Sequence, residues 1–417
     1  MKPFLFCLFY LFSFFSYSQQ QAQLIFQHKA PSVFQIRLID KATAQKSAIG
    51  SGFQISAQGH IATNYHVISG YAQHPDKYLI EYEDHQGHIG ELTLLSVDVI
   101  NDLAVVMLTK NPQPKFFRLA KTTPEMGEQV FSLGNPHDLG MIVVPGTYNG
   151  LKKDGFNDRI HFTGSVNPGM SGGPVVNANG EIVGINVATS GNQIGFLIPH
   201  DKLASLISRL EQQVDKPIQQ QITEQLKANQ SRLLGQLLAS EWPQKTFVQA
   251  LIPASIADFI PCWGNSNADA KDALLFKAVT TCQMDEYVYL SDTFNTGMVN
   301  MEFYYFEADE LSSTRFYQLY QTQFAQASAN NRASKDDVTE FECQHDITQI
   351  EQQGIKNKSI LCVRAYKKYH GLFDVMYIAA SIDKTNKAIV SHYTLAGVAE
   401  DLAQQFNLKF MESLAWN

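Results

Sequence analysis

Between Leu24 and Pro199 the chain is a succession of short apolar runs separated by clusters of Gly, Asn, Pro and Asp, and this rhythm limits the fold more than any other feature. Strands are predicted at 33–38, 52–55, 60–63, 78–82, 103–108, 130–133, 160–162, 175–176 and 182–187. Turns fall between them, as at Asn111-Pro112-Gln113-Pro114 and Asn177-Ala178-Asn179-Gly180. Many short strands at close spacing signal an all-β sandwich or a pair of barrels. The Pro-rich stretch 111–114 is the natural crossing between two halves.

The pattern changes after residue 200. Leu203, Leu206, Ile207 and Leu210 recur at helical spacing until Pro217 breaks it. Ile218, Ile222 and Leu226, then Leu233, Leu234, Leu237 and Leu238, predict a second amphipathic helix that ends before Pro243. From about 244 onward, strands at 287–290, 299–306, 360–366, 373–380 and 388–393 mix with helices. One helix is marked by Phe316, Leu319, Tyr320 and Phe324, the other by Val398, Leu402, Phe406 and Phe410. The expectation is an α+β domain, an antiparallel sheet with helices on one face. The predicted organisation is a signal peptide (1–18), a β region (19–200), a helical connector (201–240) and the α+β domain (241–417), whose role the sequence does not name.

Lys2, an apolar run over 4–15 and the small residues of Ser16-Tyr17-Ser18 read as an export signal, with Gln19 beginning the mature chain. The run is short for a membrane span, so the expectation is a periplasmic or secreted protein with no stable membrane insertion after signal removal. Cys7 lies inside that run, and the other cysteines are Cys262, Cys282, Cys343 and Cys362. An even set in an exported chain suggests two disulfides, and three pairings are open. Short loops close most easily, which favours Cys262 with Cys282 and Cys343 with Cys362. A metal site is not expected: the cysteine spacings lack a close pair, and His85 and His88 around Gly87 have no third ligand nearby. Nor is a nucleic-acid partner, since the net charge is −8 and no block of Lys or Arg stands out.

Chemistry gathers in one stretch, Asn167-Pro168-Gly169-Met170-Ser171-Gly172-Gly173-Pro174. Glycines around a serine let the backbone turn tightly and let a substrate come close. Such a loop can aim the N–H groups of Gly169 and Ser171 at a developing oxyanion. His66 follows the predicted strand 60–63, at a strand end where a barrel presents an imidazole at its rim, and Asp102 opens the apolar strand 103–108. Alone, the histidine is an ordinary surface residue, the aspartate a turn residue and the glycine loop a plain turn. Together they stand in the order His, Asp, Ser, one of the orders in which a nucleophile, its base and the orienting carboxylate occur.

With Gly50-Ser51-Gly52-Phe53, Thr63-Asn64-Tyr65-His66-Val67, Asn101-Asp102-Leu103-Ala104-Val105 and Gly195-Phe196-Leu197-Ile198-Pro199, the segment from about 30 to 200 resembles the HtrA/Deg branch of the trypsin-like serine peptidases. The resemblance implies an all-β double six-stranded barrel of the chymotrypsin-like kind, with the triad in the cleft between barrels. It implies a serine endopeptidase acting on proteins or peptides through an acyl-enzyme, with Ser171 as nucleophile, His66 as base and Asp102 orienting it. Gly169 and Ser171 would form the oxyanion hole, and no cofactor or metal is needed. Ser165 before the nucleophile and Val187, Ala188 and Thr189 opposite it are the expected substrate-binding walls, and they carry no charge. Two departures stand out. Met170 occupies the place where digestive relatives carry an aspartate and HtrA/Deg proteins an asparagine, and no PDZ module is recognisable after 240. The competing expectation is a non-catalytic binding protein that uses the barrels as scaffold and the C-terminal domain for recognition.

Overall fold

The structure, a computed structural model, describes residues 13–108, 112–189, 194–210, 216–270, 272–324, 328–349 and 355–417. Most of the predicted signal run, Asn111 of the Pro-rich crossing and the Phe324 side chain lie outside the described residues. A helix α1 (Ser13–Lys29) runs across the predicted cleavage point and leads into the β region. The chain divides into two units, Met1–Gln221 and Ile222–Asn417.

In the first unit, β1 (Val33–Asp40), β2 (Gln45–Gln54), β3 (His60–Thr63), β4 (Tyr78–Glu83), β5 (Ile89–Asp98) and β6 (Leu103–Leu108) close into a barrel in the order β1-β2-β3-β6-β5-β4. A second barrel is built from β7 (Gln129–Gly134), β8 (Ile142–Leu151), β9 (Ile160–Thr163), β10 (Pro174–Val176), β11 (Ile182–Thr189) and β12 (Gly195–Pro199). Its order is β10-β11-β12-β9-β8-β7, and every pairing in both barrels is antiparallel. This is the two-barrel chymotrypsin-like arrangement. Closure leaves neither barrel an open edge.

One core joins the barrels. Phe53, Ala62 and Val105 of the first pack with Phe131, Leu133 and Ile185 of the second, all buried, and Leu203 and Leu206 cap them. The last two belong to α3 (His200–Leu210), the first of the two predicted connector helices. Close-packed apolar contact of this kind resists sliding, so it fixes how the rims of the barrels face each other.

The place of His66 differs from expectation. Strand β3 stops at Thr63, and His66 lies in the first turn of α2 (Tyr65–Gln73), not at a strand end. Asn64 is extended at the helix N-cap, and Tyr65, Val67 and Ile68 bury the inner face of the helix. The helix holds the imidazole more rigidly than a strand terminus would.

The second unit takes in most of α4 (Ile218–Ala239), the second predicted helix. The following strands are β13 (Gln244–Phe247), β14 (Ala250–Pro253), β15 (Cys262–Ser266), β16 (Phe276–Gln283), β17 (Val288–Ser291), β18 (Phe294–Thr296) and β19 (Val299–Glu307). After α5 (Ser313–Phe324) come β20 (Glu342–Gln349), β21 (Lys356–Ala365), β22 (Phe373–Ser381), β23 (Lys387–Val398), α6 (Glu400–Glu412) and β24 (Ala415–Trp416). The main sheet is antiparallel in the order β15-β16-β19-β23-β22-β21-β20. Helices cover both of its faces, not one. Phe316 and Tyr320 of α5 pack with Phe306 and Val390, whereas Phe410 of α6 stacks on Phe303 and meets Tyr377 edge-on, and Phe406 meets Tyr393 edge-on. Strand side chains alternate between faces, and β23 is buried from Ala388 to Val398, so side chains on both of its faces are covered. Disulfides join Cys262 to Cys282 and Cys343 to Cys362, each pair directly opposite in register. They staple the two edge strands β15 and β20 to their neighbours.

Candidate active site

The rim of the first barrel carries a histidine–carboxylate pair. Asp102 is in the left-handed conformation (φ 60°) in the turn between β5 and β6. That turn is braced by Asp98, which accepts from Asn101 N–H at 3.0 Å and pairs with Arg209 of α3 at 2.6 Å. Asp102 Oδ2 lies 2.6 Å from His66 Nδ1, and Oδ1 accepts the His66 backbone N–H at 2.8 Å. The Asp102 carbonyl accepts Asn64 Nδ2 at 2.8 Å and Tyr65 N–H at 3.2 Å, so the turn and the start of α2 are bound together. An ionised carboxylate only accepts, which places the imidazole proton on Nδ1 and leaves Nε2 as the acceptor.

The second barrel contributes the serine loop between β9 and β10. A Cβ on Gly172 would lie 2.5 Å from Thr63 Oγ1 and 2.8 Å from Asn64 N, so this loop sits against the N-terminus of the helix that carries His66. Gly172 is also at φ 84°, where a side chain is strained as well as obstructed. Ser171 Oγ lies 3.5 Å from the Val187 carbonyl of β11.

The loop's backbone groups can be accounted for one by one. The Pro168 carbonyl accepts His137 N–H (2.9 Å), Gly169 carbonyl accepts Ser51 Oγ (2.7 Å), Met170 carbonyl accepts Gly173 N–H (3.0 Å) and Ser171 carbonyl accepts Ser51 N–H (2.7 Å). Met170 N–H goes to Asn167 O, and Gly172 N–H to Asn186 O. Among the described residues, no protein acceptor takes the N–H of Gly169 or of Ser171. In a trans peptide the N–H points opposite to the C=O, so the fixed carbonyls of Pro168 and Met170 fix the direction of these two donors. Unpaired N–H groups in a tightly packed loop are rare, and here the two residues predicted for an oxyanion hole have them.

Met170, the departure in the motif, points the other way. Its side chain is fully buried in the second-barrel core with Val130, Phe162 and Leu197. Where a charged residue would need an ion pair, apolar burial anchors the loop.

Of the predicted pocket residues, Ser165 is exposed and Val187 half-buried on β11. Ala188 and Thr189 pair through the backbone with Phe196 and Gly195 of β12, and their side chains lie outside the described residues. Val166, beside Ser165 in the same uncharged loop, has its Cγ2 2.8 Å from where a Cβ on Gly195 would stand, so this valine fills the space over β12. The sequence reading missed the loop at 135–138. His137 and Asp138 there are both left-handed, at φ 50° and 61°. Asp138 accepts Lys46 Nζ at 2.5 Å and Gln35 Nε2 at 2.8 Å, contacts that hold its carboxyl below the usual carboxylate range. Of six non-glycine residues with positive φ among those described, Asp102, His137 and Asp138 border this site, so backbone strain is concentrated there.

A family profile described as a trypsin-like peptidase domain matches residues 50–185, which include His66, Asp102 and Ser171. This segment is similar to trypsin-like peptidase domains. Its curated relatives are HtrA-type proteases. A probable periplasmic serine endoprotease, DegP-like, of Brucella suis is 34% identical over 175 residues, covering 39% of this chain and 33% of the relative. The serine endoprotease DegS of Escherichia coli is 30% identical over 176 residues, covering 39% and 48%. The chain thus spans less than half the length of either. Among solved structures, the serine endoprotease from Yersinia pestis aligns at 30% identity over 45% of this chain and 66% of that one, with a TM-score of 0.40. The matched residues 50–185 lie within the first unit, and the match ends before α3.

Proposed function

We propose that this chain is an exported serine endopeptidase that hydrolyses peptide bonds of proteins through an acyl-enzyme. Ser171 Oγ attacks the scissile carbonyl, while His66 Nε2 takes its proton and returns it to the leaving amine. Asp102 keeps the imidazole in the required tautomer and stabilises the imidazolium as it forms. The N–H groups of Gly169 and Ser171 hold the oxyanion. The observation that carries this reading is the loop's hydrogen-bond account: every carbonyl from Pro168 to Ser171 is held by protein, and the two N–H groups the chemistry needs are the ones left over. A binding scaffold has no need of that pattern.

Ser165, Val187, Ala188 and Thr189 would line the substrate cleft, and Val166 would narrow it. With no charge in these walls, a Lys or Arg side chain would lose its hydration without a partner, so cleavage is directed after small or medium uncharged residues. The export signal, with cleavage before Gln19, and two disulfides both accord with a periplasmic or extracellular setting. Among the described residues, no helix is long and apolar enough to cross a membrane.

The test is labelling with a fluorophosphonate probe alongside casein cleavage, for wild type and Ser171→Ala. Wild type should react and cleave. The variant should fold but lose turnover by about a millionfold, as in other triad enzymes stripped of their serine. Equal casein cleavage by both would falsify the assignment.

A further inference from the structure

The loop that carries Ser171 has no ion pair to hold it, and burial of Met170 anchors only one point of it. One residue of the first barrel supplies two further hydrogen bonds to it. Ser51 is fully buried on β2, opposite Gln35 of β1. Its hydroxyl donates to the Gly169 carbonyl at 2.7 Å and accepts Asn135 N–H at 2.9 Å. Its backbone N–H donates to the Ser171 carbonyl at 2.7 Å, and its carbonyl accepts Thr63 Oγ1 at 2.8 Å.

We propose that Ser51 is the positioning residue of the oxyanion hole, a role that rests on the peptidase reading of the same site. Gly169 lies between two peptide planes. The plane before it, which contains the Gly169 N–H, is held by His137 through Pro168 O, and the plane after it is held by the Ser51 hydroxyl. Ser171 is treated alike: Gly173 holds the plane before it through Met170 O, and Ser51 N–H holds the plane after it. Each free donor is therefore set by two pinned carbonyls, and Ser51 supplies one of the two in both cases. The same hydroxyl holds Asn135 and so ties down the loop that brings His137 N–H to Pro168. A hydroxyl can donate once and accept at the same time, which a methyl cannot do and a thiol does weakly.

The neighbours of Ser51 fit this task. A Cβ on Gly50 would stand 2.5 Å from Val67 Cγ2 and 3.1 Å from Ser171 O. A Cβ on Gly172 would stand 2.3 Å from Ser51 O. Bare glycine on both sides lets the β2 backbone reach the nucleophile loop directly.

The experiment measures kcat and KM on an internally quenched peptide for full-length wild type, Ser51→Ala and Ser51→Cys, each per folded molecule. A hole whose donors swing away loses transition-state binding but not substrate binding. Ser51→Ala should therefore lower kcat by about 10- to 100-fold with KM changed by less than about twofold, and Ser51→Cys should fall between. A purely structural serine would lower the folded fraction and leave kcat per folded molecule alone, and that result overturns the proposal. So does a rise in KM with kcat unchanged. If Ser51→Ala does not fold, the cysteine variant decides on the same criterion. A wild type that reacts with fluorophosphonate while these variants keep full kcat removes only the role of Ser51. An unreactive wild type removes the peptidase reading and this role with it.

Discussion

Gly169 is the residue at which geometry and catalysis can be separated most sharply. It sits at φ 94°, and an added Cβ would lie 2.5 Å from Asn135 O and 3.1 Å from His137 N. Both obstacles are backbone, so neither can swing aside as a long side chain would. Gly169→Ala must therefore push the Asn135–Asp138 loop away or rotate its own peptides. Forcing alanine into the left-handed region costs roughly 1–2 kcal/mol, and losing the His137–Pro168 hydrogen bond costs about 1 kcal/mol more. The domain should lose roughly 2–3 kcal/mol of stability, which most domains survive. Catalysis should suffer more. Once the Pro168 carbonyl is released, the peptide plane that carries the residue-169 N–H loses its own anchor and only the Ser51 hydrogen bond to the next plane remains, and loss of one oxyanion donor lowers kcat by about 10²–10³. The assay is peptide hydrolysis with the folded fraction taken from a urea titration of each protein. A kcat within about threefold of wild type, alongside the expected loss of stability, would show that this N–H takes no part in the reaction.

Cut-site profiling in a denatured protein mixture should show cleavage after small or medium uncharged residues, and dominant cleavage after Lys or Arg contradicts the pocket described above. Replacing Cys343 and Cys362 together by serine opens a loop of 19 residues and should destabilise the C-terminal unit by roughly 3 kcal/mol, seen as a lower urea midpoint. An unmoved midpoint would mean that the β20–β21 pairing holds without its staple. The Glu302 carboxyl is kept below its ordinary value by hydrogen bonding to His392 and, against the opposing effect of burial, also to Tyr304 and Asn330. A depressed carboxyl contributes stability above its unfolded value, about pH 4.3, and loses it as pH falls through the folded value. Glu302→Gln should therefore narrow the difference between urea midpoints at neutral and strongly acid pH, and an unchanged difference refutes the assignment of that acid sensitivity to Glu302.

Local pattern was enough for much of this protein. The short runs at 60–63 and 103–108 and the helical spacings behind α3, α4 and α6 fall where the structure has those elements, except that Val398, expected in the last helix, ends β23. His66, Asp102 and Ser171 were named on their order along the chain and on the resemblance that the surrounding motifs carry, none of the three being distinctive alone. The cysteine pairing followed from loop length and was borne out. Strand β8 was hidden, because Pro145, Gly146 and Gly150 read as turns. Yet a Cβ on Gly146 would stand 2.3 Å from Phe162 Cε2, so the glycine is there to admit a neighbouring ring, a requirement visible only once the barrel is closed. The supports of the site belong to the same class. Ser51 and Gly169 are 118 residues apart, and Gln35 and Asp138 are 103 apart. A serine in a glycine-rich strand or an aspartate in a loop has many ordinary uses, and a hydrogen bond across such a distance imposes no periodicity on either segment. The sequence alone therefore named the atoms to which the proposed chemistry is assigned. Only the tertiary structure, by packing two barrels on one apolar core, decided which carbonyls of the serine loop are held and which of its N–H groups are left without a protein acceptor among the described residues.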